Sequence, residues 1–432
     1  MRIDSVILRK VGPFEDVQID FPEGSNPDLA DVYLLTGPNG CGKTTVLYAI
    51  AALLDTSTGP GLLRPRMQRT KDSSASIVVS DQGRSATRTR EALDIGTVYD
   101  RPTLRPLDVY TRSARMQGNI VGSGKLSWVP FAYAGTRKVE SGHVEAIAEP
   151  AIDPLANSLS FHNTADTKNL AQWIASQEFL RLKAKDAGRG ERAEQIARSV
   201  RAIEETIAGI IGDPTFAFVS GSDFDLDIRV RRGGANLDMD VLPDGVKSIV
   251  SWIADLLMRL DRIPWEDDTP TLQRSFLLLL DEIDIHLHPA WQRQVIPIVQ
   301  KLFPKAQIIA STHSPFVVGS ADDAHVIMFA MKGGKSAVES VKPSQVGVSY
   351  SAVLREIFGI KSEFDVDTER MLADFHAAKT RLLDGTATDR AAIDELARKL
   401  AARGEELSSM LGFELRQLER RTELCDTARN PE

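Results

Sequence analysis

Three short stretches of the 432-residue chain hold residue types and spacings suited to acting on a phosphate. The first is Gly37-Pro38-Asn39-Gly40-Cys41-Gly42-Lys43-Thr44-Thr45, spaced G-x-x-x-x-G-K-T as in a phosphate-binding loop. Glycines let backbone N–H groups turn onto phosphate oxygens with no Cβ in the way. Lys43 can reach the β- and γ-phosphates as a point charge, and Thr44 can offer a hydroxyl to Mg²⁺. The second stretch is Asp281-Glu282, two carboxylates ending an apolar run. Asp281 is placed to hold Mg²⁺, directly or through water, and Glu282 to orient or deprotonate the water that attacks the γ-phosphate. The third is His313 within Ser311-Thr312-His313-Ser314-Pro315. Its imidazole could hydrogen-bond the γ-phosphate or the attacking water. ATP and Mg²⁺ are the ligands this chemistry implies.

These side chains need elements that bring them to one place. Residues 32–35 form a short apolar run that predicts a buried strand before the loop. A helix starting near Lys43 and continuing through the apolar residues 46–54 would point its positive dipole end at the anion. Residues 276–280, all Phe or Leu, predict a strand buried on both faces of a mainly parallel sheet. Ligands bind at the C-terminal ends of such strands, where Asp281 and Glu282 fall. Residues 306–310 predict another buried strand, which delivers His313 to the same edge.

The remaining elements are read more coarsely. Residues 5–8 and 17–21 predict two strands joined through Gly12-Pro13, residues 74–80 a third, and residues 56–74 a polar segment that contains surface loop. Between 81 and 125 charges are many and periodic apolar residues few, which predicts irregular structure with short strands. Residues 129–135 predict a strand, with Arg137 just past its glycine. Leu170, Trp173, Ile174 and Phe179, then Ile196, Val200, Ile203 and Ile207, recur at helical spacing. They predict the packed face of a helical insertion at about 155–210, too short and too broken by Gly188 and Gly190 for a long coiled coil. Three strands are predicted at 215–219, 226–230 and 237–241, a helix at 244–260, an acidic loop around 266–268 and a helix at 290–302. His286 and His288 form H-x-H, a spacing that on a strand could present two imidazoles to a metal, but no third ligand is evident.

Composition narrows the class. The net charge of −8 argues against a protein coated in basic surface and leaves room for a local basic groove. Two cysteines, Cys41 and Cys425, make neither a disulfide framework nor a thiolate metal site, which fits a reducing cytoplasm. The N-terminal residues lack a signal-peptide core and no run approaches membrane-spanning length, so no membrane partner is expected. Cys41, inside the loop, reads as a small tolerated residue rather than a redox switch.

With these residues placed, the chain resembles the ABC-type ATPases of the SMC and RecF kind over most of residues 1–360. Residues 37–45 look like Walker A, residues 277–282 like Walker B with its catalytic glutamate, and His313 like the switch histidine. Residues 284–289 look like the D-loop and the HLHP tract of compact members, which argues against a metal at His286 and His288. Residues 242–248, LPDGVKS, resemble the signature motif. In the family this helix start caps the γ-phosphate held by a partner subunit, which implies that Asp244, Gly245 and Lys247 complete the site of a second copy. Pro243 stands where serine is usual, and so removes a hydroxyl and an N–H from that contact. Gln68 and Gln82 are candidates for the Q-loop glutamine. FAYAGTR at 131–137, the insert around Trp173 and the YSAVLREIFGI stretch from Tyr350 narrow the likeness to compact ATPases of bacterial anti-phage defence operons, of the Septu and retron-associated kind.

The implied fold is α/β, a P-loop NTPase head of the ABC type with a mixed sheet. The expected domains are a head at 1–360, including the helical insertion, and a helical region at 361–432. In that region Met371, Leu372 and Phe375, then Ile393, Leu396 and Leu400, then Leu407, Met410, Leu411, Leu415 and Leu418 predict three helices punctuated by Gly385, Gly404 and Gly412. The implied function is an ATP-hydrolysing switch. It would form a homodimer or higher homo-oligomer through its ATP sites and control a separate effector such as a nuclease, since no nuclease motif is evident in this chain. The alternative is a DNA-repair ATPase that binds DNA directly. A transporter subunit fits less well, because the signature departs from the transporter form.

Overall fold

Long apolar runs become the strands buried on both faces, and alternating runs become strands with one wet face. The computed structural model describes residues 1–55, 59–68, 70–91, 94–101, 104–115, 125–135, 144, 147–150, 152–162, 164–165, 167–220, 227–344, 347–360, 362, 364–384 and 390–429. Of the positions singled out above, Arg137, Leu226, Gly385 and the far end of the chain lie outside the described residues. The chain divides into two units, Met1–Val353 and Leu354–Glu432.

The first unit opens with β1 (Arg2–Val11), β2 (Phe14–Asp20), β3 (Asp31–Thr36), α1 (Lys43–Leu54) and the short α2 (Gly59–Leu63). There follow β4 (Ser74–Asp81), β5 (Arg84–Glu91), β6 (Asp94–Arg101), α3 (Arg105–Arg115) and β7 (Val129–Tyr133). Next come α4 (Thr167–Asp186), α5 (Gly190–Ile211), β8 (Ala217–Ser220), β9 (Ile228–Arg232), β10 (Ala235–Asp238) and α6 (Asp244–Arg262). Then β11 (Phe276–Leu280), α7 (Pro289–Leu302), β12 (Gln307–Ser311), α8 (Pro315–Val318), β13 (Ala324–Lys332), β14 (Lys335–Pro343) and α9 (Tyr350–Glu356), which runs on past the boundary.

One sheet of eleven strands carries the order β6-β5-β4-β1-β2-β14-β13-β3-β12-β11-β7. Its β13-β3-β12-β11-β7 half is parallel throughout. The β6-β5-β4-β1-β2 half is antiparallel throughout. In the parallel half, β3, β12 and β11 lie side by side, so the residues that follow them meet at one edge of the sheet. The five residues of β11 and those of β12 are all buried, as unbroken apolar runs dictate. Strands β8, β9 and β10 form a separate small sheet, and α4 with α5 makes the helical insertion.

The structure corrects four readings of the chain. The span 81–125, expected to be irregular, holds the eight-residue strands β5 and β6 and the helix α3. The inward positions of β5 are Ala86, Arg88 and Arg90, all buried, so its period of two is written in arginine and escapes a hydrophobic reading. Those arginines serve the carbonyl end of α1: Arg88 Nη1 donates to Leu53 O at 3.2 Å and Arg90 Nη2 to Asp55 O at 2.7 Å. Burial lowers the Arg90 pKa to about 10. The third strand of the small sheet sits earlier than expected, at Ala235–Asp238, and Met239–Val241 is a 3₁₀ turn. Phe179, expected on the packed face of α4, is 47% exposed. Gly412 lies inside a helix instead of between two.

A buried charge pair ties α6 to this unit. Arg259 Nε donates to Asp255 Oδ2 at 2.7 Å, with side chains only 2% and 1% exposed. The Tyr133 hydroxyl donates to the same oxygen at 2.8 Å. The remaining guanidinium N–H groups reach Pro154 O, Ala156 O and Thr164 O at 2.9, 2.8 and 2.6 Å.

The second unit is a helical bundle of α10 (Val366–Leu383), α11 (Arg390–Ala401) and α12 (Glu405–Arg429). Asp365 caps α10 by accepting from the N–H groups of Asp367 and Thr368, each at 3.1 Å. Leu372, Phe375, Ile393, Leu400, Leu411 and Leu418 fill its core.

Candidate nucleotide site

Backbone shape at the loop demands glycine. Gly37 has φ 140° and a Cβ there would lie 2.6 Å from Phe329 O; Gly42 has φ 97° and a Cβ there would lie 2.5 Å from the Phe14 ring. Either substitution meets both backbone strain and a collision. Ser336 Oγ braces the loop by donating to Cys41 O at 2.6 Å. Gly42 is the N-cap of α1, with no side-chain cap of its own, so the helix presents bare N–H groups where a phosphate would sit. Buried Lys43 folds back over the loop, its Nζ donating to Gly37 O at 2.9 Å and Pro38 O at 3.1 Å.

The ends of β11 and β12 close on that loop. Thr44 Oγ1 donates to Asp281 Oδ1 at 3.1 Å. Ser311 Oγ donates to the same oxygen at 2.6 Å and accepts from the Glu282 N–H at 2.7 Å. One serine hydroxyl therefore fixes both carboxylate residues. In sequence His313 draws the chemistry of Ser311-Thr312-His313; the one signal for Ser311 is a hydroxyl at the end of a buried strand. Glu282 has φ 49°, a left-handed conformation costly for a residue with a Cβ. Gly135 makes room for it: a Cβ at Gly135 would lie 2.7 Å from Glu282 Cβ.

Asp284 joins the D-loop to the histidine segment. It accepts from Thr312 Oγ1 at 2.7 Å and from the His313 N–H at 3.2 Å. Gln292 of α7 holds the turn from behind, donating to Asp284 O and Leu287 O at 3.1 and 2.9 Å. Partial burial pushes the His313 pKa below 6.5, and the positive charge of Lys43 pushes it the same way. A neutral imidazole results at pH 7. His288 Nδ1 accepts from the Ala290 N–H at 3.3 Å, and no cluster of three or more His, Cys, Asp or Glu suited to a metal occurs among the described residues.

Lys43, Thr44, Asp281, Glu282 and His313 thus converge. Asp244, Gly245 and Lys247 do not join them: among the described residues no hydrogen bond or ion pair links the two groups. Buried Gly245 packs on the D-loop instead, where a Cβ would lie 2.6 Å from His286 O and 2.9 Å from the Trp291 ring. Pro243 is the N-cap of α6 and offers no side-chain cap, while Asp244 next to it is 75% exposed and 3.7 Å from Lys247 Nζ. Gln68 lies beside β1, its N–H on Lys10 O at 3.1 Å, and Gln82 forms the β4–β5 turn with φ 48°.

A family model described as "AAA domain, putative AbiEii toxin, Type IV TA system" matches residues 137–319, and one described as "AAA domain" matches residues 5–112. "Retron Ec83 probable ATPase" of Escherichia coli is 30% identical over 151 residues, covering 33% of this chain and 27% of that protein. "Retron Vc95 probable ATPase" of Vibrio cholerae is 31% identical over 136 residues, covering 32% and 26%. This chain therefore spans 27% and 26% of the length of these two relatives. "Septu protein PtuA" of Bacillus thuringiensis is 25% identical over 319 residues, covering 72% of this chain and 71% of that protein. Among solved structures, the SMC head domain from Thermotoga maritima overlaps with a TM-score of 0.44 at 17% identity, over 80% of this chain and 100% of that one. No helix among the described residues is long and apolar enough to cross a membrane. The chain matches AAA-domain models over two separate stretches and resembles probable ATPases of retrons and the Septu protein PtuA.

Proposed function

We propose that the chain binds Mg²⁺-ATP and hydrolyses it at composite sites shared by two copies, as the switch component of a bacterial anti-phage defence system acting on a separate effector such as a nuclease. The observation that carries this reading is the convergence of the Lys43 loop with Asp281, Glu282 and His313, closed by the Thr44–Asp281 contact at 3.1 Å.

The residues fit both ligands. Anionic phosphate oxygens outcompete the neutral carbonyls of Gly37 and Pro38 for the Lys43 ammonium. The hydroxyl of Thr44 and the carboxylate of Asp281 are the hard oxygen donors that Mg²⁺ takes. The ion, when bound, supplies charge neutralisation on the β- and γ-phosphate oxygens. Lys43 and the α1 N-terminus stabilise charge that grows on the γ-phosphate, while Glu282 orients and deprotonates the water. Neutral His313 can donate to a phosphate oxygen or accept from that water. Asp244, Gly245 and Lys247 stand apart from this group, at a helix start without a side-chain cap, which supports their serving the site of another copy. The names of the retron and Septu relatives support the defence role.

Phosphate release by the full chain tests the reading. We expect release that depends on Mg²⁺ and rises more steeply than linearly with protein concentration, since half of each site comes from a second copy. Release no greater than a protein-free control would end the hydrolytic reading, and strictly linear scaling would end the shared-site part of it. Ser311→Ala removes a hydrogen bond to a carboxylate worth about 1.5–3 kcal/mol, so turnover is expected to fall about ten- to a hundred-fold. A kcat within twofold of the parent would show that Ser311 does not place the carboxylates.

A further inference from the structure

Tyr48 lies one helical turn beyond Thr44 on α1, so the two side chains share a face. The Tyr48 side chain is nearly buried, at 6% exposed. Its ring is gripped by Phe161, with centroids 4.4 Å apart, and by the Arg66 guanidinium, 4.3 Å from the ring centroid. Its hydroxyl lies 3.2 Å from His162 Nε2. Burial raises the Tyr48 pKa, against the opposing charge of Arg66. The hydroxyl therefore stays protonated and can donate to His162. The Phe161–His162 segment hangs from the same strand end as Asp281. Phe161 bridges to Tyr133, with its O accepting from the Ala134 N–H at 3.3 Å, and Tyr133 O accepts from the Asp281 N–H at 2.9 Å.

We infer that Tyr48 is a positioning residue for the carboxylates of this site and that His162 holds it in place, so that the segment leading into the helical insertion is tied to the nucleotide. Neither residue appears in the motif set, and the inference rests on the hydrolytic reading above. The Tyr48 hydroxyl is the link. It joins the face of α1 that carries Thr44 to the segment paired with the end of β7, and the Asp281 backbone is bonded to that same strand end. Loss of the Tyr48–His162 bond loosens the Phe161–His162 segment from α1, and with it the strand end to which the Asp281 N–H is bonded, so the carboxylates settle away from their working position.

Tyr48→Phe keeps the ring between Phe161 and Arg66 and removes only the oxygen. We expect Tyr48→Phe and His162→Ala each to lower kcat about ten-fold, with KM for Mg²⁺-ATP within twofold and thermal melting unchanged. The double variant should be no slower than either single one. His162→Gln, which can still bond the hydroxyl, should recover most of the rate. Parental kcat in Tyr48→Phe, or additive losses in the double variant, would overturn the inference. Hydrogen exchange separates this from the hydrolytic reading. With added Mg²⁺-ATP, residues 37–45 report nucleotide binding and residues 153–162 report the Tyr48–His162 link. Both should gain protection in the parent, and only residues 37–45 in Tyr48→Phe. An equal gain at residues 153–162 in both proteins, or none in the parent, overturns the inference even if no phosphate is released.

Discussion

Lys43→Ala is expected to lower phosphate release at least about 100-fold, because removing one contact made to charge developing in the transition state costs roughly 3 kcal/mol. The side chain is 7% exposed and already directed over the loop by Gly37 O and Pro38 O. It therefore meets a phosphate without first being ordered. Alanine at the first residue of α1 favours the helix, so the protein should fold and melt as the parent does. Lys43→Arg is expected to fail as well, since a planar guanidinium does not replace a compact ammonium in so tight a loop. The check is kcat beside a melting curve. A properly folded Lys43→Ala protein turning over within tenfold of the parent would contradict the assignment of the loop.

The second large effect is on stability. Arg259→Ala should destabilise the protein by about 3–5 kcal/mol, the range for breaking a buried ion pair by removing one partner. Asp255 would keep the Tyr133 hydroxyl but lose its cation, and the carbonyls of Pro154, Ala156 and Thr164 would lose charged donors. Replacing both Asp255 and Arg259 by leucine should cost less than Arg259→Ala, because no charge is then left stranded. Urea denaturation gives both values. A loss under about 1 kcal/mol for Arg259→Ala would mean that the pair is not buried as described.

Much of the site was legible because it is contiguous in sequence. The residues 37–45, the Phe-Leu run before Asp281 and the apolar run before His313 each announce a strand end and its chemistry together. What escaped reading depends on contacts between distant segments. Arg88 and Arg90 look like surface charges on a polar stretch, and only the carbonyl end of α1 explains why they point inward. Asp255 and Arg259, four residues apart on a helix, carry no sign of burial in sequence, and only the carbonyls of Pro154, Ala156 and Thr164 show that they are covered. Gly135 reads as a turn, whereas its bare Cα is what lets Glu282 adopt φ 49°. Ser311 has no local signal of its role, because its two partners, Asp281 and Glu282, lie about thirty residues earlier. Phe179 shows the converse, an apolar residue at helical spacing that stays in water, as many do.

Nucleotide is proposed to join two copies of this chain through the Lys43 loop of one and the Gly245 helix start of the other. Sedimentation of Glu282→Gln, whose amide cannot deprotonate the attacking water, tests it most directly. With Mg²⁺-ATP the variant should shift to twice its nucleotide-free mass, or a higher multiple, while ADP leaves the mass unchanged and adding Asp244→Arg, at a side chain 75% exposed, abolishes the shift. A mass that is the same with and without ATP, in a variant shown to bind the nucleotide, would contradict the account.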